Sequence, residues 1–556
     1  RAARRDGRGV MDRPFAITLA VGSSRANHTG TWRTDRPVYV EHTPPCSHAC
    51  PAGEDVRGWL HTAEDGSYER AWGQLVDTNP FPAVMGRVCY HPCESVCNRA
   101  EVDGHVGINA VERFLGDHAI AGGFALPPAG PSTGKRVLVV GAGPAGLAAT
   151  YRLRRLGHAV TLADAEAEPG GMLRYGIPAY RLPRDVLDAE IARILAMDVT
   201  YVPNHRVDDL AAALAGDGFD AAFDAAFVAV GAQIGKRAYI PAGDSARVLD
   251  AVSVLHGTAE HDAPQLGHTV AVYGGGNTAF DAARTARRLG AAEAVVVYRR
   301  TRDRMPAHES ELEDALAEGV RVRWLSTITH AEGGSLTVER MELDDDGFPQ
   351  PTGEVEELGA DTLLLALGQQ ADLGLVARLE GLTVVDDRIV VDATGMTGAE
   401  GVFAGGDATG GTSTVTEAIG HGLRAARAID AWLWGEPRSG TAPVTDVIGV
   451  DRLNTWYFSE APPSLQPVLD AARRASSFDE VVGGLDESTA LYEARRCLSC
   501  GDCLECDNCY GVCPDNAVIK LGPGERYAID LDFCKGCGLC VQECPAGAME
   551  MVPEPP

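Results

Sequence analysis

The placement of cysteine constrains this chain more than any other feature. Its 556 residues include 15 Cys: five lie between Cys46 and Cys97, ten between Cys497 and Cys544, and none in the long stretch between. Disulfides persist in oxidising compartments, and the basic first twenty residues lack the apolar run of a secretory leader, so a cytoplasmic, metal-ligating protein is expected. The cysteine-free middle alternates apolar strands with amphipathic helices, the pattern of a parallel sheet covered by helices. At roughly 150 residues per domain, the length allows three to four domains. A formal charge of −29 disfavours nucleic acid and anionic lipid as partners, and no apolar run reaches the about 18 residues of a membrane span.

Two glycine-rich units stand at predicted strand–helix junctions. In RVLVVGAGPAGLAATYRLRRLGHAVTLAD, Gly141, Gly143 and Gly146 form G-x-G-x-x-G, with Pro144 and Ala145 opening the helix. The first Gly permits the tight turn, the second lets backbone approach a pyrophosphate, and the third allows close helix–strand packing. The predicted strand Ala159–Ala163 ends at Asp164, an acid placed to suit a ribose hydroxyl pair. In TVAVYGGGNTAFDAARTARRLGAAEAVVVYRR, Gly274, Gly276 and Ala279 give G-x-G-x-x-A, followed by a strand ending in Arg299-Arg300 instead of an acid. Guanidinium groups there pair with a 2′-phosphate, favouring NADP over NAD. Further strands are predicted at Arg136–Val140, Thr269–Tyr273, Leu363–Ala366 and Gly401–Ala404, and a helix at Ser464–Ser476.

These units, with Gly170-Gly171-Met172-Leu173, Tyr175-Gly176-Ile177-Pro178, Met305-Pro306-Ala307 and AGGDATGG, resemble the small (β) subunit of glutamate synthase and its relatives. The relatives include dihydropyrimidine dehydrogenase and the large subunit of the bifurcating transhydrogenase, and the resemblance spans roughly residues 40–435. It implies FAD in the first dinucleotide site, near Gly171, Leu173, Gly406, Asp407, Val415 and Thr416. It implies NAD(P)H in the second, near Gly274, Gly276, Asn277, Thr278 and Ala279. Hydride passes between nicotinamide and flavin without a protein acid or base, so no catalytic side chain is nominated.

The C-terminal cysteines repeat C-x2-C-x2-C-x3-C-P, the run of two-cluster bacterial ferredoxins in which the fourth Cys serves the other cluster. One 4Fe–4S cluster is therefore expected on Cys503, Cys506, Cys509 and Cys544, and another on Cys534, Cys537, Cys540 and Cys513. The N-terminal PPCSHACPAG and GRVCYHPCESVC point to further clusters, with His48 and His91 read as surface or packing residues. The relatives place a Gln or Glu ligand in the following helix, which implies Cys50, Cys89, Cys93 and Glu112 here. Four such clusters need sixteen ligands, one more than the 15 Cys available. Cys46, Cys97, Cys497 and Cys500 are left, and EARRCLSCG resembles a stretch that relatives carry ahead of their N-terminal C-x3-C-P. A cluster shared between the two chain ends is expected.

The expected architecture is an N-terminal α-helical iron–sulfur domain, an α/β two-dinucleotide flavoprotein core and a C-terminal α+β bacterial-type ferredoxin domain. The bounds are 1–40 (extension), 41–130 (helical iron–sulfur), 135–255 and 369–435 (FAD), 256–368 (NAD(P)), 436–492 (linker, beginning near GEPRSGTAP) and 493–556 (ferredoxin-like). The expected function is electron transfer between NADP(H), FAD, four 4Fe–4S clusters and a partner within a hetero-oligomer. That partner is a 2-oxoacid oxidoreductase or a soluble ferredoxin; a glutamate synthase small subunit and a non-catalytic carrier are the alternatives. Replacing Arg299 and Arg300 with Ala should raise KM for NADPH far more than for NADH. Each guanidinium–phosphate contact contributes about 1.5–3 kcal/mol, and equal losses for both nucleotides would count against the 2′-phosphate role.

Overall fold

The computed structural model describes residues 28–236, 240–241, 247–436 and 446–555. The basic first twenty residues and positions 437–443 of the GEPRSGTAP linker lie outside them.

Strand β1 (Asp35–Tyr39) is followed by a helical unit that includes α1 (Val56–Glu64), α2 (Pro82–Val88) and α3 (Ile108–Gly122). Helix α1 begins at Asp55, whose side chain accepts from Gly58 N at 3.1 Å, satisfying a backbone donor that a helix start leaves unpaired. Trp59, Leu60, Leu75 and Leu115 fill the core of this unit.

Two parallel sheets form the middle of the molecule. The first contains β2 (Arg136–Val140), β3 (Ala159–Ala163), β4 (Thr200–Val202) and β5 (Ala225–Val228), with helix α4 (Pro144–Arg155) leaving β2. The second contains β6 (Val248–Asp250), β7 (Thr269–Tyr273), β8 (Glu293–Val297) and β9 (Arg321–Arg323), with helices α5 (Asn277–Arg288) and α6 (Glu309–Ala317). A three-stranded antiparallel sheet, β10 (Ser326–Glu332), β11 (Ser335–Leu343) and β12 (Pro349–Gly359), precedes β13 (Thr362–Leu365), which completes the second parallel sheet. The chain then returns to the first sheet as β14 (Val402–Ala404) and continues into α7 (Val415–Leu433). The sheet orders are β14-β5-β2-β3-β4 and β9-β8-β7-β13-β6. Their central strands are buried on both faces, which is why RVLVV and TVAVY read as continuous apolar runs instead of alternating ones. Among the described residues, no helix is long and apolar enough to cross a membrane.

Beyond 446 the chain runs back across the N-terminal unit, where Thr43 and Val447 form a parallel bridge. The helix expected at Ser464–Ser476 is reduced to one turn, Ala471–Arg474. Pro467 interrupts the helical pattern, Asp470 starts the short turn as its cap, and Val468 bridges Val482 instead. Helix α8 (Glu487–Arg495) packs against α1 and α3, and β15 (Met549–Pro553) pairs antiparallel with β1.

A buried ionic cluster fixes the two sheet modules together. Arg181, from the first, binds Asp281 at 2.7 Å and also Glu311, both from the second. Arg284 and Arg288 bind Glu318 at 2.8 and 2.6 Å, while their guanidinium groups lie 4.8 and 3.7 Å from the Tyr180 ring centre. Removing one member of such a group leaves the others charged and unpaired. Glu318→Ala should therefore cost about 3–5 kcal/mol, measured as a lower denaturation midpoint of the cofactor-loaded protein.

Candidate redox site

The turn after β2 is built to let a phosphate approach. Gly141 has φ +106°, and a Cβ there would lie 2.3 Å from the Ala229 carbonyl oxygen. Gly143 precedes α4 with no side-chain cap, and a Cβ on it would meet nothing closer than Gly171 Cα at 4.0 Å. Pro144 occupies the first helical position, where its missing N–H costs nothing. The open backbone donors and the helix dipole fit the pyrophosphate of FAD. Beside this turn lies a cavity of about 450 Å³ lined by Gly141, Asp164, Glu166, Val207 and Leu375 among others. Asp164 lies on it, as expected. Its carboxylate already accepts from the backbone N–H groups of Ala142 and Glu166, and burial raises its pKa.

A second cavity of about 370 Å³ brings the two nucleotide modules together. Gly276 and Thr278 enter from the second, Asp407 and Ser413 from the first, and Arg388 also lines it. Asn277 Oδ1 accepts from His308 N at 2.9 Å, which shapes the GGGNTA turn, and Ala279 is fully buried behind it. A Cβ on Gly274 would meet the Ala366 carbonyl oxygen at 2.1 Å. Arg299 is exposed and Arg300 half-buried after β8, so both stand at the sheet's carboxyl edge. Leu173 is buried in the first module's core, and Gly171 faces Gly143.

Sequence reasoning passed over His421, whose Nδ1 accepts from Gly406 N at 3.1 Å and so holds the Gly405-Gly406-Asp407 turn. Burial lowers its pKa, keeping the ring neutral as an acceptor needs. The available signal was its flanking residues. A Cβ on Gly420 would sit 2.1 Å from the Pro51 oxygen, and one on Gly422 would sit 2.2 Å from the Ala145 oxygen. Helix α7 is thus pressed against both the cysteine-bearing Cys50 loop and α4. At its start, the Thr416 hydroxyl donates to Cys89 Sγ at 3.1 Å, and Val415 packs against the same core.

Cys50, Cys89 and Cys93 meet beside Glu112, with their charges bearing on one another. Glu112 is buried, and Asn79 Nδ2 donates to it at 2.8 Å and to Glu54 at 2.9 Å. Burial pushes the Glu54 carboxyl up to about 7 and Glu112 well above its ordinary value. Glu54 and Asn79 were not foreseen; a Glu in the small-residue loop CPAGE was the only hint. His48 is exposed, and His91 Nδ1 faces Glu94 at 2.9 Å.

Cys46, Cys97, Cys497 and Cys500, separated by up to 454 positions, line one cavity. The junction is held by Glu493, whose Oε2 accepts from Gly107 N at 2.9 Å, and by Arg496, which donates to the His105 and Gly104 oxygens at 2.7 and 2.8 Å. Burial pushes the Cys46 thiol up to about 12 and Cys500 up to about 11. A metal cation is what holds such buried sulfurs as thiolates, so the set fits an iron centre. Cys513, Cys534, Cys537 and Cys540 line another cavity. Cys503, Cys506 and Cys544 surround Cys509 closely enough for their charges to bear on it. Among the described residues, all 15 Cys are free of disulfides.

A family model for pyridine nucleotide-disulphide oxidoreductases matches residues 135–422. The chain belongs to this family. Models described as dihydropyrimidine dehydrogenase domain II with a 4Fe-4S cluster and as a 4Fe-4S dicluster domain match residues 30–124 and 502–548. The beta subunit of NADP(+)-dependent formate dehydrogenase from Moorella thermoacetica is 38% identical over 511 residues, covering 82% of this chain and 70% of its own length. The beta subunit of NADPH-Fe(3+) oxidoreductase from Geobacter sulfurreducens is 32% identical over 514 residues, covering 83% and 75%. The dihydropyrimidine dehydrogenase subunit PreT of Escherichia coli is 34% identical over 397 residues, covering 71% and 92%. Among solved structures, FprA from Mycobacterium tuberculosis covers 56% of this chain and 85% of its own at TM-score 0.46 and 19% identity. The resemblance to glutamate synthase small-subunit-like proteins holds, and this chain is an NAD(P)H-dependent oxidoreductase with 4Fe–4S domains at both ends of a two-nucleotide core.

A Cβ on Gly146 would lie 1.8 Å from the Gly141 carbonyl oxygen. Gly146→Ala should push α4 away from β2 and weaken FAD retention by about 1–3 kcal/mol, up to roughly a hundredfold. Flavin fluorescence released on dilution of the purified variant measures it.

Proposed function

We propose that this chain is the NADP(H)-handling electron-transfer subunit of a larger oxidoreductase, with its clusters in a relay between the flavin and a partner. The observation that supports this reading is the 3.1 Å contact from Thr416 to Cys89, an N-terminal thiol against the start of the helix that the reading assigns to the flavin. Bound FAD supplies the exchange between two-electron hydride and single electrons. The chain's own residues do the rest. Gly143 and the first turn of α4 bind the pyrophosphate, while Arg299 and Arg300 take the 2′-phosphate of NADP. The cleft holding Gly276, Thr278 and Asp407 brings the two nucleotides together.

Four clusters follow from the four thiol sets. Cys50, Cys89, Cys93 and Glu112 form the one next to the flavin, and Cys46, Cys97, Cys497 and Cys500 hold the one joining the chain ends. Cys503, Cys506, Cys509 and Cys544, then Cys534, Cys537, Cys540 and Cys513, carry electrons to the surface. Cys506 and Cys537 are the exposed members of those two sets, which favours exchange with a partner there.

The partner read from the sequence is a 2-oxoacid oxidoreductase in the cytoplasm. The name of the Moorella relative favours a second reading, a formate-oxidising partner. Anaerobic purification from the native cell, followed by 2-oxoacid- and formate-dependent NADP+ reduction, separates the two. If NADPH fails to bleach the flavin of the loaded protein, the electron-transfer reading fails.

The shared cluster makes a quantitative prediction. Cys497→Ser with Cys500→Ser should lower iron from about sixteen to about twelve atoms per chain, by metal analysis. A double variant keeping its full iron would remove the shared cluster from the relay.

A further inference from the structure

The first described strand belongs in space to the last part of the chain. Strand β1 pairs with β15 from Asp35 opposite Pro553 to Tyr39 opposite Met549. The residues before it wrap the second ferredoxin-type run. Gly30 N donates to the Asp532 oxygen at 3.0 Å, Arg33 Nη1 donates to the Leu531 and Cys534 oxygens at 2.6 and 2.9 Å, and Thr29 reaches the Phe533 oxygen. Arg33 also pairs with Glu554. The strap is therefore anchored along its length, and its final residue is placed by the sheet register.

That residue is Tyr39. Its phenol oxygen lies 3.4 Å from Cys509 Sγ, and its ring stacks on Tyr527 at 6.5 Å between centres and 20° between planes. A cysteine sulfur bound to iron carries no proton, so the hydroxyl is the donor in this contact. Each set also has a backbone donor at the cysteine it takes from the end of a run: Ala548 N to Cys544 Sγ in one and Ala517 N to Cys513 Sγ in the other, both at 3.3 Å. These two contacts mirror each other between the sets. The contact from Tyr39 falls on one set.

Reduction adds negative charge to a cluster and its sulfurs. A hydrogen bond to a ligand sulfur is stronger in the reduced state and makes reduction easier. We propose that Tyr39, delivered by the N-terminal strand, is a potential-setting residue that raises the reduction potential of the cluster on Cys503, Cys506, Cys509 and Cys544 relative to its neighbour. This rests on the assignment of those four cysteines to one cluster. It would make the two clusters of the ferredoxin-like segment unequal, with the one nearer Tyr39 the better electron acceptor.

The test uses the full chain, loaded anaerobically with iron, sulfide and FAD, and a potentiometric titration followed by electron paramagnetic resonance. Tyr39→Phe keeps the ring, the stacking on Tyr527 and the strand pairing, and removes only the donor. The variant should keep wild-type iron content. One ferredoxin-type signal should titrate at lower potential, so that at the wild-type midpoint its reduced-to-oxidised ratio falls roughly three- to tenfold (tenfold being 59 mV for one electron). The displaced signal should be the one altered by Cys509→Ser, and the other ferredoxin-type signal should stay in place. Unchanged midpoints would overturn the proposal. So would an equal shift of every signal, or loss of iron from Tyr39→Phe, since either marks a packing role. A wild-type chain without two ferredoxin-type signals would instead overturn the cluster assignment itself.

Discussion

The structure depends on the approach of helix α7 to two backbones at once. Gly420 and Gly422 carry no side chain where the Pro51 and Ala145 oxygens lie, and any Cβ would hold both at a distance. The same helix presents Thr416 to Cys89 and His421 to the Gly406 turn. One helix therefore sets the spacing between the first nucleotide module and the N-terminal cysteine loops. Electron transfer between cofactors depends on such spacing, so a rigid, close-packed junction is the physical requirement that this part of the sequence meets.

The chain ends pose a different problem. Bringing four thiols from opposite ends into one buried place is unfavourable while they stay charged and unpaired, which is why burial pushes Cys46 and Cys500 up. The surrounding protein prepares the place through groups that are themselves satisfied. Glu493 and Arg496 pair at 2.8 Å and reach across to the 103–107 loop. Arg57 donates to both the His42 and Cys500 oxygens. In the proposed shared cluster, iron would supply the missing positive charge, and ligation and the joining of the two ends would be one event.

The two nucleotide modules are held by charge where the cysteine unit is held by close packing. Arg181, Asp281, Glu311, Arg284, Arg288 and Glu318 form a connected, desolvated set in which each group has an opposite partner. Such a set fixes orientation more than it adds net stability, because the desolvation cost consumes most of the attraction. Asp281, Arg284 and Arg288 stand on α5, the helix that starts from the Gly276 turn lining the cleft, and so the set bears on how two bound nucleotides would face each other.

Local features were legible from the chain itself. Strands Arg136–Val140 and Thr269–Tyr273 have their expected bounds, since a doubly buried parallel strand and a glycine turn leave a pattern within a few residues. The cysteine runs were legible for the same reason, because a cluster dictates ligand spacing along the chain. Even the grouping of Cys46 and Cys97 with Cys497 and Cys500 could be reached by counting ligands and matching EARRCLSCG. The short helix within Ser464–Ser476 was misjudged because Val468 found a partner in Val482, a pairing that local helical periodicity does not encode. Tertiary structure alone decided that Thr416 meets Cys89, that Asn79 bridges Glu54 and Glu112, and that Tyr39 reaches Cys509 across 470 positions. Spacing along a chain records what one turn or one cluster requires; it does not record which distant surface a packed helix or an added strand will bring alongside.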